Sequence, residues 1–186
     1  NPRALNPTRV TTIALQPDGK IILGGDFNRL EPNGGTGTSR NLIARVNADG
    51  TVDAAFNPNP TDGESVASVV VQADGKVLLS GGFTALRPNA TGSAVARNRL
   101  ARVNPGGTLD LGFDPNPNNE VASIAVQADG RIVIGGFFTT LQPNGAGAPT
   151  TRNRLVRLNT DGTLDPAFDP NADEGMYGVG LQSDGE

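Results

Sequence analysis

The residues of this chain that could do chemistry are three arginines, each followed eight positions later by an aspartate: Arg45 and Asp53, Arg102 and Asp110, Arg157 and Asp165. Guanidinium and carboxylate groups form strong, charge-assisted hydrogen bonds with each other. The segment from Asn47 through Asp49 to Asp53 also resembles the second half of a calcium-binding loop. Arginine, however, occupies the position of the first calcium ligand, where its charge would repel a cation. We therefore predict structural ion pairs and no metal site.

Catalysis has weaker support in the sequence. The chain has no cysteine and no histidine, which excludes thiolate nucleophiles, the usual zinc ligands and imidazole bases. Hydrolysis of a glycoside needs two carboxyl groups at a set separation in one cleft, whereas most aspartates here recur at repeated turn positions. We assign no catalytic residue and no cofactor, and we predict that the protein is not an enzyme.

The ion pairs belong to a unit of about 55 residues that occurs three times. Its anchor is a glutamine, found at Gln16, Gln72, Gln127 and Gln182. A repeat of this length sets the architecture of a chain. The predicted divisions are the tail of a preceding unit, three whole units and the first strand of a further unit, at residues 1–9, 10–65, 66–120, 121–175 and 176–186.

The sequence of each unit predicts four short antiparallel strands and no helix. In the first unit the strands are expected at 11–16, 20–27, 42–47 and 51–56, in two hairpins closed by Asp-Gly turns. Six of the seven phenylalanines recur at two positions of the unit, as core residues would. Four-stranded units in tandem are typical of the blades of a β-propeller. Three such units would also fit a β-trefoil, so the fold class is all-β with the propeller favoured.

A long loop separates the second and third strands of each unit, at residues 28–39, 84–96 and 139–151. In a meandering blade these loops share one end with the linkers between units, and loops on a rigid scaffold often carry binding sites. Each loop contains a Leu-x-Pro-Asn sequence. The candidate partner-binding residues are therefore Leu30, Asn33, Leu86, Asn89, Leu141 and Asn144.

Charge and composition restrict the partners. The net charge of −4 disfavours binding to nucleic acid or to anionic lipid, and no apolar run approaches the roughly 20 residues of a membrane span. Lectin pockets often use tryptophan or tyrosine, but this chain has no tryptophan and Tyr177 is its one tyrosine. A protein or a surface glycan remains as the predicted partner.

The pattern Gln-x-Asp-Gly-Lys-Ile-x-x-Gly-Gly-x-Phe, followed by Asn-x-Leu-x-Arg-x-Asn-x-Asp-Gly-Thr-x-Asp-x-x-Phe, resembles the delta-60 repeat family of bacterial β-propeller proteins. The resemblance implies large, secreted or cell-surface bacterial proteins without a shared enzymatic activity. We therefore expect a non-enzymatic extracellular scaffold or adhesion-type interaction module, which continues into further blades or associates with other copies. The alternatives are a carbohydrate-binding propeller and, third, a catalytic propeller acting as a hydrolase or lyase.

Overall fold

Short runs of apolar residues joined by Asp-Gly turns fold into one three-stranded antiparallel sheet in every unit. A computed structural model describes residues 3–4, 9–145 and 147–182 of the chain. In each sheet the middle strand in sequence is also the middle strand in space. The sheets are β2 (Val10–Leu15), β3 (Ile21–Gly25) and β6 (Ile43–Val46); β8 (Val66–Val71), β9 (Val77–Gly81) and β12 (Leu100–Val103); β13 (Val121–Val126), β14 (Ile132–Gly136) and β17 (Leu155–Leu158).

The fourth predicted strand is reduced to a single β-bridge in each unit, so the expected strand at 51–56 is wrong in extent. In the first unit the bridge joins Val46 to Val52. Immediately afterwards the Asp53 carboxylate accepts the Ala55 N–H at 3.0 Å, which turns the chain out of the sheet. This turn directs Phe56 into the core, where it is fully buried.

The long loops, predicted to be irregular, form a second set of small sheets. Each loop folds into a two-stranded hairpin around a three-residue 3-10 helix. The strands are β1 (Arg3–Ala4), β4 (Arg29–Glu31) and β5 (Thr38–Ser39); β7 (Pro60–Thr61), β10 (Ala85–Leu86) and β11 (Val95–Ala96); β15 (Thr140–Leu141) and β16 (Thr150–Thr151). The 3-10 helices are Pro32–Gly34, Pro88–Ala90 and Pro143–Gly145. None of the described helices has the length or the apolar character to cross a membrane.

These small sheets cross the boundaries between units. The linker strand β7 leaves the first unit and pairs with β10 of the second, with Thr61 opposite Ala85. A bridge between Pro117 and Leu141 makes the same connection between the second and third units. Adjacent units are therefore joined by backbone hydrogen bonds as well as by side-chain packing.

The first strands of neighbouring units lie side by side. Thr11 Oγ1 donates to the Val66 carbonyl at 2.7 Å, and the Val69 N–H donates to Thr12 Oγ1 at 3.2 Å. At the next such boundary the Val179 N–H donates to Ser123 Oγ at 3.1 Å. Residues 176–182 thus lie where a further first strand was predicted, although they form no regular strand. Residues 1–2 and 5–8 of the predicted tail, and residues 183–186 of the predicted further unit, lie outside the described residues.

Five of the six repeated phenylalanines are fully buried, as predicted for core residues: Phe27, Phe56, Phe83, Phe113 and Phe138. The sixth, Phe168, is half-buried. The hairpin turn of the following unit covers the equivalent ring of Phe113, since a Cβ atom at Gly162 would lie 2.9 Å from that ring. Within the described residues no further hairpin turn follows to cover Phe168.

The middle strand of each unit ends in a glycine that lies in close contact with the backbone beside the first strand. The first strand carries a β-bulge opposite the end of the middle strand, and a carbonyl oxygen presses against the last glycine of that strand, which is Gly25, Gly81 or Gly136. A Cβ atom would lie 2.0 Å from the Arg9 oxygen at Gly25, and 2.2 Å from the Glu120 oxygen at Gly136. Only glycine fits at these positions.

We predict that Gly136→Ala lowers the free energy of unfolding by about 2 kcal/mol, because the clashing atom belongs to the backbone and cannot rotate away. The measurement is urea denaturation followed by circular dichroism. Gly106→Ala is the matched control, since a Cβ atom there would meet no atom within 4 Å. Equal stability of the two variants would contradict the close contact.

Candidate functional site

The predicted partner of Arg45 is in place, within a larger cluster. Arg45 Nε donates to Asp53 Oδ2 at 2.9 Å, and Lys20 Nζ donates to the same oxygen at 2.9 Å. The Arg45 guanidinium carbon also lies 4.5 Å from the centroid of the Phe56 ring, a cation–π distance. One carboxylate, two cations and one aromatic ring therefore form what we call the arginine cluster.

The second and third units build the same arginine cluster. The Nε–Oδ2 distances are 2.9 Å for Arg102 and Asp110, and 2.8 Å for Arg157 and Asp165. The ring and the second cation recur as Phe113 with Lys76, and as Phe168 with Arg131. The structure thus brings together all three predicted pairs.

The arginines of the first two clusters also reach the following unit. Arg45 Nη1 donates to the Pro105 carbonyl at 2.6 Å, and Arg102 Nη1 donates to the Thr160 carbonyl at 2.5 Å. Both acceptors lie in the second hairpin turn of the next unit. The side chain of Arg157, for which the described residues hold no following turn, is 20% exposed, against 8% for Arg45.

The carboxylates of the clusters are held in their charged form. Burial raises the pKa of Asp53. Hydrogen bonds from Lys20 and from the Ala55 N–H lower it, the charge of Arg45 lowers it further, and the net pKa lies below the usual value. The carboxyl groups with a pKa lowered by such donors are Asp53, Asp110 and Asp165.

The hairpin at 47–53 resembles a calcium loop, but its carboxylate oxygens accept hydrogen bonds from protein groups. Asp49 Oδ1 accepts the Thr51 N–H at 2.9 Å and the Thr51 hydroxyl at 2.6 Å, so it closes its own turn. Asp53 faces Arg45 and Lys20. Over the described part of the chain, no three acidic side chains converge as a metal site would require.

The structure divides the six predicted loop residues into two groups. Leu30, Leu86 and Leu141 are buried to 1% exposure or less, because each lies in a strand that pairs across the unit boundary and points into the core. They anchor the loops and leave no surface for a partner, so they are withdrawn as binding residues.

The three asparagines are exposed and occupy the left-handed region, with φ of 51° at Asn33, 59° at Asn89 and 54° at Asn144. Asparagine tolerates this conformation better than most residues. The Asn89 N–H donates to the Asn57 carbonyl at 2.8 Å, and the Asn144 N–H donates to the Asp114 carbonyl at 2.7 Å. Both bonds join adjacent units, so these residues stabilise the loop as well as being accessible.

A polar cleft of about 280 Å³ opens between the second and third units on the loop side. It was not predicted. Amide and hydroxyl side chains from both units line it, and one guanidinium is present; we call it the Asn–Arg cleft. The residues used below are Asn98, Arg99, Asn116, Asn118, Thr140 and Gln142.

Arg99 separates this cleft from a second one of about 360 Å³. The second cleft carries the carboxylates of Asp62, Glu64 and Glu120. Arg99 has φ of 62°, a left-handed conformation that is unfavourable for a side chain of this type. Its Nη1 donates to the Gly82 carbonyl, and no described carboxylate lies within 4 Å of it.

The comparison with known families places these features in a repeat. A family model described as "Domain of unknown function (DUF5122) beta-propeller" matches residues 16–56, 72–113 and 127–168, about two thirds of the chain. The chain belongs to the DUF5122 β-propeller family. Each matched segment begins at the repeat glutamine and ends at the phenylalanine of an arginine cluster, so every DUF5122 unit contains one whole cluster. The propeller prediction is confirmed, and the trefoil alternative is set aside.

Among solved structures, the chain is similar to a catalytically inactive variant of virginiamycin B lyase from Staphylococcus aureus with quinupristin. The TM-score is 0.48 at 17% identity, and the match covers 100% of this chain and 51% of the lyase chain. The DUF5122 chain therefore spans about half the length of that protein. No curated protein matched the chain.

Sequence reasoning missed the Asn–Arg cleft for an identifiable reason. Its residues come from the Asn-Arg dipeptide before the third strand, from the linker and from the long loop of the third unit, and each appears ordinary within its own unit. A signal was available: Leu42 in the first unit corresponds to Arg99 in the second and Arg154 in the third. A charge that replaces an apolar residue at a repeated position departs from what the fold itself requires.

We expect Arg102→Ala to lower the free energy of unfolding by about 3 kcal/mol, because it removes the partner of a largely buried carboxylate, a ring contact and the bond to the next unit. Arg157→Ala is the matched comparison and should cost less than Arg102→Ala, since the Arg157 side chain is more exposed and has no bond to a following turn. Thermal and urea denaturation measure both. A larger loss for Arg157→Ala would refute the role assigned to the boundary bond.

Acid should destabilise the fold through the same carboxylates. Their pKa values are lower in the folded state than the roughly 3.9 of an unfolded aspartate, so their contribution is present above about pH 4 and is lost as pH falls through the folded pKa values. The melting temperature should therefore drop steeply below pH 4. Asp53→Asn should flatten this dependence, and an unchanged slope in that variant would exclude the cluster as its source.

Proposed function

We propose that this chain is a non-enzymatic interaction module that acts outside the bacterial cell, and that a protein partner binds in the Asn–Arg cleft. The observation that supports this most directly is the state of Arg99. The guanidinium has five N–H donors, and only its Nη1 has an acceptor among the described residues, the Gly82 carbonyl. The other N–H groups of the Arg99 guanidinium can therefore donate to a ligand.

The other arginines of the repeat show what a structural arginine looks like in this protein. Arg97 Nε and Nη2 donate to the Phe113 and Leu111 carbonyls, both at 3.1 Å, and its Nη1 lies 3.5 Å from the Asp114 carboxylate. Arg99, two positions further along, has no such set of acceptors. Most of the Arg99 guanidinium donors therefore have no acceptor among the described residues.

The lining of the cleft favours a peptide over a small apolar ligand. Asn98 Nδ2 donates to Asn116 Oδ1 at 2.6 Å, and Asn118 Oδ1 accepts the N–H groups of Thr139 and Thr140 at 2.9 and 3.1 Å. These bonds fix the amides in place. A rigid amide-lined groove with one cation complements the carbonyl and carboxylate groups of an extended chain.

The non-enzymatic part of the proposal is supported by the roles of the carboxylates. General acid catalysis near neutral pH needs a carboxyl group with a raised pKa, but the carboxylates of the arginine clusters have lowered ones. Burial raises the pKa of Asp114, opposed by Arg97, and a single such group does not make the pair that glycoside hydrolysis requires. The extracellular location is supported by the resemblance to secreted and cell-surface repeat proteins.

The test uses a phage-displayed library of random peptides selected on the immobilised chain. We expect the enriched peptides to bind Arg99→Leu about tenfold more weakly, which corresponds to one charge-assisted hydrogen bond. Leucine is the residue of the first unit at this position, so the backbone is compatible. Arg87→Leu removes an exposed charge outside the cleft and should bind normally. Enriched peptides that bind Arg99→Leu as tightly as the unaltered chain would refute the proposed site.

A further inference from the structure

The asparagine of the Leu-x-Pro-Asn sequence is followed by glycine in two units and by alanine in the other. The three pairs are Asn33-Gly34, Asn89-Ala90 and Asn144-Gly145. An asparagine followed by glycine is prone to deamidation, in which the backbone nitrogen of the glycine attacks the side-chain amide, because the glycine has no Cβ atom to hinder the approach. The loop asparagines, which the proposed function does not use, therefore differ in chemical reactivity.

The Asn144-Gly145 pair lies in open space on the loop side of the third unit. Both residues are exposed, and a Cβ atom at Gly145 would meet no atom within 4 Å. The equivalent pairs of the first and second units are also exposed, so the exposure is a property of the repeat. The peptide group between Asn144 and Gly145 can therefore rotate toward the side-chain amide without meeting neighbouring atoms.

The side-chain amide of Asn144 is held in a position that favours attack. Its Oδ1 accepts the Asp114 N–H at 3.2 Å. A donor at this oxygen polarises the amide carbon, and it stabilises the negative charge that develops on the oxygen when a nucleophile adds to that carbon. The second unit thus supplies a group that promotes a reaction within the third.

We propose that Asn144 undergoes spontaneous deamidation and that this modification loosens the boundary between the second and third units. The Gly145 nitrogen loses its proton to water and bonds to Asn144 Cγ. The bond from Cγ to Nδ2 then breaks, and the nitrogen leaves with the electron pair, takes up a proton and becomes ammonia. Water opens the resulting succinimide ring at either carbonyl carbon, which yields aspartate or isoaspartate. Water is the one co-reactant, and nothing is oxidised or reduced.

Both products alter the contacts that Asn144 makes with the second unit. Its N–H donates to the Asp114 carbonyl at 2.7 Å, and its Oδ1 accepts the Asp114 N–H, so two hydrogen bonds join the units at this point. Isoaspartate adds a carbon atom to the backbone, and the two bonds can then no longer form together. Either product also places a new negative charge next to Asp114.

The modified residue lies two positions from the Asn–Arg cleft. Gln142 lines this cleft, and its Nε2 donates to the Gly147 carbonyl across the loop at 2.8 Å. A longer backbone at position 144 therefore displaces the part of the cleft that the third unit provides. The deamidation itself follows from the contacts of Asn144 and Gly145, whereas its effect on ligand binding rests on the proposed function.

The test follows the folded chain during incubation in mildly alkaline buffer, which favours loss of the amide proton of Gly145. Mass spectrometry of proteolytic peptides measures the replacement of the amide by a hydroxyl at position 144, and labelling by an isoaspartate methyltransferase identifies the isoaspartate product. We call the protein after this incubation the aged chain. We expect Asn144 to be modified in the aged chain while Asn89 stays intact.

Two variants exchange the residues of different units and should therefore fold normally. Gly145→Ala introduces the residue of the second unit, where Ala90 adopts a similar left-handed conformation with φ of 55°. It should slow the modification of Asn144 about tenfold. Ala90→Gly makes the opposite exchange and should speed the modification of Asn89 by a similar factor.

Urea denaturation tests the effect on the boundary. The aged chain should unfold at a lower urea concentration than the fresh chain, and Gly145→Ala should lose less of its stability over the same incubation. An Asn144 that stays intact in the folded chain, while a synthetic peptide of residues 140–150 is modified, would overturn the proposed site. Complete modification without a change in the urea midpoint would overturn the loosening of the boundary.

Binding separates this inference from the proposed function. Peptides selected on the fresh chain should bind the aged chain about tenfold more weakly, and they should bind aged Gly145→Ala almost as tightly as the fresh chain. If the selection enriches no peptide, the proposed function fails, whereas the mass and urea measurements still decide whether Asn144 is modified and what the modification does.

Discussion

The packing of each unit against the next depends on one arginine. Arg45 satisfies the buried Asp53 carboxylate, covers the Phe56 ring and donates to the Pro105 carbonyl of the next unit. Loss of any of these contacts would be costly for a buried charge, so the arginine cluster is most stable when the following unit is in place. Each unit is thus completed by the one that follows, as expected of a repeat protein whose stability resides in its interfaces.

Because the arginine cluster repeats, its charged residues are committed to structure. Function is then best sought where one unit departs from the others. Arg99 replaces Leu42 of the first unit. It lines the cleft where the second and third units meet, which is where a repeat protein can combine side chains that no single unit provides.

Much of the fold could be predicted because its signals are local. The Asp-Gly turns and the arginine–aspartate spacing each act over fewer than ten residues. The prediction was wrong about the fourth strand, since the Asp53 carboxylate turns the chain after one bridge, and about Leu30, Leu86 and Leu141, which are core residues. The small sheets were missed because strands of two or three residues show no periodicity, and because β10 pairs with a strand from the preceding unit.

The sequence by itself determined the length of the unit, its hairpins, its buried phenylalanines and the ion pairs within it. Only the tertiary structure decided which groups come together across units: Arg45 with a carbonyl 60 positions away, Asn98 with Thr140 in the lining of the Asn–Arg cleft, and Phe137 with Tyr177. The physical reason is that these contacts depend on how one rigid sheet is placed against another. That placement arises from the packing of whole surfaces, and no spacing of residues along the chain encodes it.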